Sequence, residues 1–304
     1  MKPHAFAAVM ATGILSVNML DHGHHLVSAV LIVVAAALLP VLMVAAIRAW
    51  RSQGWSLREL DVSIGLFTYV AACCIVATRL ASDRVALVIL LPMAVQGWLS
   101  LMPTTLRSVW RERRSLRTRV HGGWELASVA TSGLAMVCVA ADAVFLALIL
   151  WVTAVALYLA ITGLLIWRWA HEGKDRDVSS PDTWIVMGAP GIASLAGEHI
   201  HLALPPGPLA DSLLRVTIGT WVLATLWIPV LLALGLRRVD AWPAVFPIGM
   251  YSAATFAVYQ ETGWTLLDVV SLVGCWVAAA LWVWTAVPAA GRLVGALPRG
   301  AERG

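Results

Sequence analysis

Ten runs of apolar residues, each about 16 to 24 long, follow one another along the chain with little between them but short, arginine-rich segments. A bilayer core about 30 Å thick is crossed by a helix of about 20 residues. Lipid offers the backbone no hydrogen bonds, so a chain of such runs is restricted to helices that satisfy themselves. The runs are 5–20, 26–47, 62–78, 85–102, 124–141, 144–167, 183–202, 213–236, 245–260 and 266–287. The expected fold is all-α and polytopic: ten transmembrane helices in one transmembrane domain over residues 1–304.

Composition closes off the alternatives. Hydrophobic residues make up 60% of the chain and charged ones 12%, against about 25% charged in soluble domains, so no sizeable soluble domain fits. Cys73, Cys74, Cys138 and Cys275 all lie in apolar runs without a CxxC pair and read as small buried hydrophobes. The formal charge of +4 does not point to nucleic acid, because the basic residues sit between apolar runs. Lys2 before the first run invites comparison with a secretory signal, but the run ends in Asn18-Met19-Leu20-Asp21 instead of a small-x-small cleavage site.

Charge also predicts orientation. With the N-terminus in the cytoplasm, all of the 21 lysines and arginines except Arg79, Arg84 and Arg215 fall on the cytoplasmic side, as the positive-inside rule requires. Both termini are therefore expected inside a multi-pass protein of the plasma (inner) membrane. Short loops imply five sequential helix hairpins. Gly13, Gly65, Gly133, Gly188, Gly191 and Gly249 lie within the odd-numbered runs, where small residues let helices approach closely.

Phosphate loops, GxSxG, HExxH and paired carboxylates within one run are all absent from the sequence, so no enzyme is expected. Ionisable groups inside the runs are few, and such groups are usually functional. Glu125 reads as an interfacial anchor that reaches water. Glu198, in Gly197-Glu198-His199-Ile200-His201, reads first as half of a structural ion pair with His199, His201 or Arg215 across a hairpin; the competing reading makes it, with His199, the candidate for proton coupling. Asp268 lies near the outer end of the last run. The loop histidines His22, His24 and His25 are spaced too tightly to aim at one ion, so neither a metal nor a cofactor is expected.

The opening stretch Pro3-His4-Ala5-Phe6-Ala7-Ala8-Val9-Met10-Ala11-Thr12-Gly13-Ile14-Leu15-Ser16 resembles the first-helix pattern of the tellurite-resistance/dicarboxylate transporter family, a Phe leading into V-M-G-T-G-I-L-S. Ala11 departs from the usual glycine. Trp242-Pro243-Ala244-Val245-Phe246-Pro247-Ile248-Gly249, followed by Ala253-Ala254-Thr255, looks like the ninth-helix pattern. That family includes plant slow anion channels, the bacterial tellurite-resistance protein A, malate permeases and sulfite pumps. The resemblance implies five hairpins around a central pore, odd-numbered helices innermost, often as a homotrimer, and small anions as cargo. It also implies that Phe246 is a ring occluding the pore, where an aromatic in a narrow, uncharged passage excludes water and raises the barrier to ions.

Phe6, Thr12, Gly13, Ser16, Phe67, Thr131, Ser132, Gly249 and Thr255 are further candidate pore liners, and the cytoplasmic arginines would concentrate anions at the mouth. The expected function is an anion channel or channel-like permease for small inorganic anions or carboxylates. The alternative is a proton-coupled C4-dicarboxylate or sulfite carrier. Chain partners other than a second copy are not implied, and no nucleic acid.

Overall fold

The computed structural model describes residues 2–113, 116–172, 181–235 and 242–296. The arginines and lysine at 114, 174, 176, 237, 238, 299 and 303 lie outside the described residues. Among the described residues there is no strand. Ten long helices are present: α1 (Ala7–Asp21), α2 (His25–Gln53), α3 (Leu60–Arg79), α4 (Arg84–Arg111), α6 (Leu126–Ala140), α7 (Val144–Glu172), α8 (Ile185–Ala203), α9 (Pro208–Gly235), α10 (Trp242–Thr262) and α11 (Thr265–Ala296). A single turn, α5 (Leu116–Arg119), interrupts the series.

Tight connections make consecutive long helices into hairpins, α1 with α2, α3 with α4, α6 with α7, α8 with α9 and α10 with α11. The turns use the backbone that such reversals need. Gly23 and Gly263 have φ of 78° and 68°, a region that costs glycine nothing. Asp83 caps α4 by accepting from the Val85 amide at 2.9 Å. Short 3₁₀ turns, Pro3–Phe6, Gly122–Glu125 and Pro181–Trp184, lead into α1, α6 and α8.

The helices form two concentric rings. Each of α1, α3, α6, α8 and α10 packs on two others of the same set, which closes an inner ring. In their most apolar stretches α3 and α6 are 89% buried, whereas α2, α4, α9 and α11 are 22% buried. Outer-helix residues such as Leu26, Val88 and Phe145 stand exposed, as lipid contact demands. Eight of the long helices are long and apolar enough to cross a membrane by themselves; α8 and α10, more polar and both in the inner ring, are not among them.

Lipid gives helices no hydrophobic reason to associate, so packing and hydrogen bonds must hold the rings together. Inner-ring glycines supply the packing. A Cβ on Gly13 would lie 2.7 Å from Ile75 Cγ2, one on Gly133 3.0 Å from Cys74 Cβ, and one on Gly249 3.0 Å from Ile14 Cγ2.

Hydrogen bonds supply the rest, and one set of them joins the outer helix of one hairpin to the inner helix of the next. Trp98 on α4 donates its indole N–H to Thr131 on α6 at 2.9 Å. Trp151 on α7 donates to the Ala193 carbonyl on α8 at 2.7 Å, and Trp221 on α9 to Thr255 on α10 at 3.0 Å. Trp282 on α11 closes the circle by donating to Thr12 on α1 at 2.8 Å. Between α2 and α3 the corresponding bond runs from Arg79 Nη2 to Ser28 Oγ at 2.8 Å.

Glu125 corrects the sequence reading. It is 0% exposed, wedged behind the inner ring, where Thr162 on α7 donates to its Oε1 at 2.7 Å. The 3₁₀ turn that contains it pulls the side chain inward, away from the interface.

Candidate functional site

One stripe of each inner helix faces the axis of the ring. On α1 it continues from His4 through Met10 and Ile14 to Asp21; on α3 it runs through Asp61, Ile64, Thr68, Ile75 and Arg79, at the three- and four-residue spacing of one helix face. These stripes enclose two cavities. The near vestibule, on the side of the N-terminus, has a volume of about 160 Å³ and takes in His4, Met10, Asp61, His121, Asp182 and Phe246. The far vestibule, about 250 Å³, takes in Ile14, Asp21, Ile75, Arg79, Met136, Glu198, His199 and Met250. All five inner helices contribute to the far vestibule.

The block between the cavities is thinnest along α1 and α10. Phe246 borders the near vestibule and Met250 the far one; Met10 and Ile14 repeat that relation on α1. Four residues of helix span about 6 Å, so a single turn of apolar side chains separates the two chambers there. Phe246 is 2% exposed, Met10 and Ile14 1%, and Met250 0%. Pro247 follows Phe246 directly and has no N–H to give, so the turn carrying the ring lacks one helical hydrogen bond.

The other aromatic candidates lie elsewhere. Phe6 makes an edge contact with Tyr69 at 5.3 Å and borders a groove with Met43, Trp50 and Leu101 on the outer side of the ring. Phe67 is fully buried and lines neither vestibule.

The hydroxyls tell the same story. Thr12, Thr131 and Thr255 each bond back to their own helix and accept a tryptophan N–H from an outer helix. Ser16 donates to the Ser28 carbonyl on α2 at 2.8 Å. Ser132 is buried and borders neither vestibule. Gly13 and Gly249 stand at helix contacts, where they admit Ile75 and Ile14 to the axis.

Among the described residues, several of the vestibule charges are arranged in pairs. In the near vestibule His121 Nε2 lies 3.6 Å from Asp61, whose other oxygen is 3.7 Å from Arg119. Arg119 also pairs with Glu112, so its charge is largely answered at the rim. In the far vestibule Glu198 pairs with His199 at 2.9 Å. His201 turns to Glu261 on α10 at 3.0 Å, and Arg215 bonds the Asp211 carbonyl on its own helix. The loop histidines separate: His22 contacts Ser271 at 3.0 Å and His24 lies against Trp276. Burial lowers the His22 imidazole below its ordinary value, with Asp268 opposing and His24 reinforcing the shift.

Sequence reasoning missed Asp21 and Arg79 as site residues. Both end an inner helix and look like ordinary loop charges; only their place on the axial stripe marks them, and that stripe is readable once Ile14 and Ile75 are known to face inward.

A family model described as voltage-dependent anion channel matches residues 1–290. The chain belongs to that family. Membership makes it a membrane protein of the anion channels and transporters, in keeping with two apolar-blocked vestibules on one axis. An uncharacterized membrane protein of Mycobacterium tuberculosis strain CDC 1551 / Oshkosh is 28% identical over 147 residues, covering 43% of this chain and 74% of the relative. One from strain ATCC 25618 / H37Rv matches with the same figures. The voltage-dependent anion channel match spans both sequence stretches that carried the resemblance, Pro3 to Ser16 and Trp242 to Thr255.

Proposed function

We propose that the chain is a channel or channel-like permease of the plasma membrane that passes small inorganic anions or carboxylates down their gradient, with Phe246 as the occluding ring. All ten long helices cross the membrane in this reading, with both termini cytoplasmic, the near vestibule facing the cytoplasm, and three copies associating with one pore each. The observation that carries it is the position of Phe246, buried at the floor of the near vestibule one helical turn from Met250 in the far one. A dry constriction this short opens on the displacement of one or two side chains, because rewetting restores the ions' hydration.

The test is anion flux in proteoliposomes loaded with chloride, nitrate or malate, for wild type and Phe246→Ala. The variant is expected to raise flux at least tenfold. Equal, low flux from both proteins would remove Phe246 from the role of gate.

A second reading has one observation in its favour: the Glu198–His199 pair faces the far vestibule instead of lipid, where a proton site of a coupled C4-dicarboxylate or sulfite carrier would sit. Under it, Glu198→Gln abolishes uptake of malate or sulfite driven by a pH gradient. Under the channel reading, the same variant keeps its conductance.

A further inference from the structure

We propose that Arg79 holds the permeating anion in the far vestibule and that its guanidinium favours planar oxyanions, such as nitrate or a carboxylate group, over halide. This rests on reading the two vestibules as halves of one anion path.

An arginine at a helix end ordinarily sets topology, or extends its head group to water with its stem against apolar surface. Arg79 is held in place. Its Nη2 donates to Ser28 Oγ at 2.8 Å. Ser28 is 0% exposed and donates to the Ser16 carbonyl at 2.6 Å, while Ser16 donates to the Ser28 carbonyl at 2.8 Å. The guanidinium is thus fixed through α2 to α1 by a buried, reciprocal pair of serines, and one face of its fork is committed to that anchor. Its Nε–H is buried and finds no acceptor among the described residues.

The surrounding charges leave this cation available. Among the described residues no carboxylate oxygen lies within 4.0 Å of Arg79. Glu198 is engaged by His199 at 2.9 Å. Asp21, on the neighbouring α1, lines the same cavity and makes no ion pair with Arg79 within 4.0 Å among the described residues. Arg79 is also the one arginine or lysine that lines either vestibule among the described residues. An anion leaving the apolar block past Ile75 therefore meets a single positioned cation, one helical turn farther along the same face of α3.

The geometry of the group sets the preference. A guanidinium presents donors in a rigid, planar fork that matches two oxygens of a planar oxyanion, whereas an ammonium is a point charge. A spherical halide gains from the charge and little from the fork.

The experiment measures binding and flux separately, with nitrate and chloride as probes. Binding is read from the anion-dependent rise in unfolding temperature of purified protein, and flux from the concentration dependence of transport in proteoliposomes. Arg79→Gln is expected to abolish stabilisation by nitrate and to raise the half-saturating nitrate concentration at least tenfold. Arg79→Lys is expected to keep chloride transport and to lose the nitrate-over-chloride preference. Ser28→Ala retains the guanidinium but frees it, so nitrate affinity falls severalfold with the fold intact, which separates a binding defect from misfolding.

Nitrate stabilisation of Arg79→Gln equal to wild type overturns the proposal. So does a Phe246→Ala/Arg79→Gln double variant that saturates with nitrate as Phe246→Ala does, and that result leaves the gate standing. If Phe246→Ala passes no more anion than wild type while nitrate stabilises wild type and not Arg79→Gln, the anion site holds and the gate reading fails.

Discussion

Glu125 shows how much a single side chain can hide. A carboxyl that is 0% exposed, with one oxygen bonded by Thr162 and no partner for the other among the described residues, is tolerable only while the bonded side stays satisfied. Thr162→Val removes the donor and keeps the volume. It is expected to destabilise the protein by about 1–3 kcal/mol, read as a lowered unfolding temperature in detergent; an unchanged temperature would mean that the carboxyl has another partner in solution. Gly249 makes the complementary case for packing. An added Cβ meets Ile14 at 3.0 Å, so Gly249→Ala is expected to cost about 1–3 kcal/mol by overpacking and to push Ile14 against the axis, lowering basal anion flux in proteoliposomes.

At the scale of elements, the tryptophan bonds between hairpins replace the aqueous driving force that membrane helices lack. Trp98→Phe, Trp221→Phe and Trp282→Phe each delete one indole donor with part of the ring system, and each is expected to cost at least about 0.6 kcal/mol, the usual worth of an interhelical bond in a bilayer, plus the packing of the lost atoms. The triple variant should lose nearly the sum, because the three bonds share no residue and join different helix pairs, α4 to α6, α9 to α10 and α11 to α1; a loss far above the sum would show that the ring opens cooperatively. These bonds also explain what the sequence did and did not disclose. Helix existence and pairing were legible because apolar length and charge alternation follow directly from the thickness of lipid and the positive-inside bias. The facing of Thr12, Thr131 and Thr255 was not, since a threonine in an apolar run looks alike whether it lines water or accepts from a neighbour. Its partner lies on another hairpin, 270 residues away for Thr12 and Trp282. Arg79 was hidden for the same reason, its helix-end position being indistinguishable from a topological charge until the axial stripe of α3 is traced.

For the whole molecule, the decisive dimension is the thickness of the block. Two chambers of about 160 and 250 Å³ approach each other most closely along α1 and α10, where Met10 with Phe246 and Ile14 with Met250 form two apolar layers about 6 Å apart. A barrier made of two stacked layers is not abolished by thinning one of them, since the remaining layer still forces an ion to shed water. Phe246→Ala alone should therefore raise anion flux and leave it well below open-pore values. Phe246→Ala/Met250→Ala joins the chambers along α10 and is expected to raise flux at least another tenfold, with Met250→Ala alone having the smaller effect because the aromatic layer persists. If the double variant equals Phe246→Ala, the far layer does not contribute to the barrier and the ring alone sets it. If Met250→Ala alone matches the double variant, the barrier lies at the far layer, and Phe246 is a wall of the near vestibule.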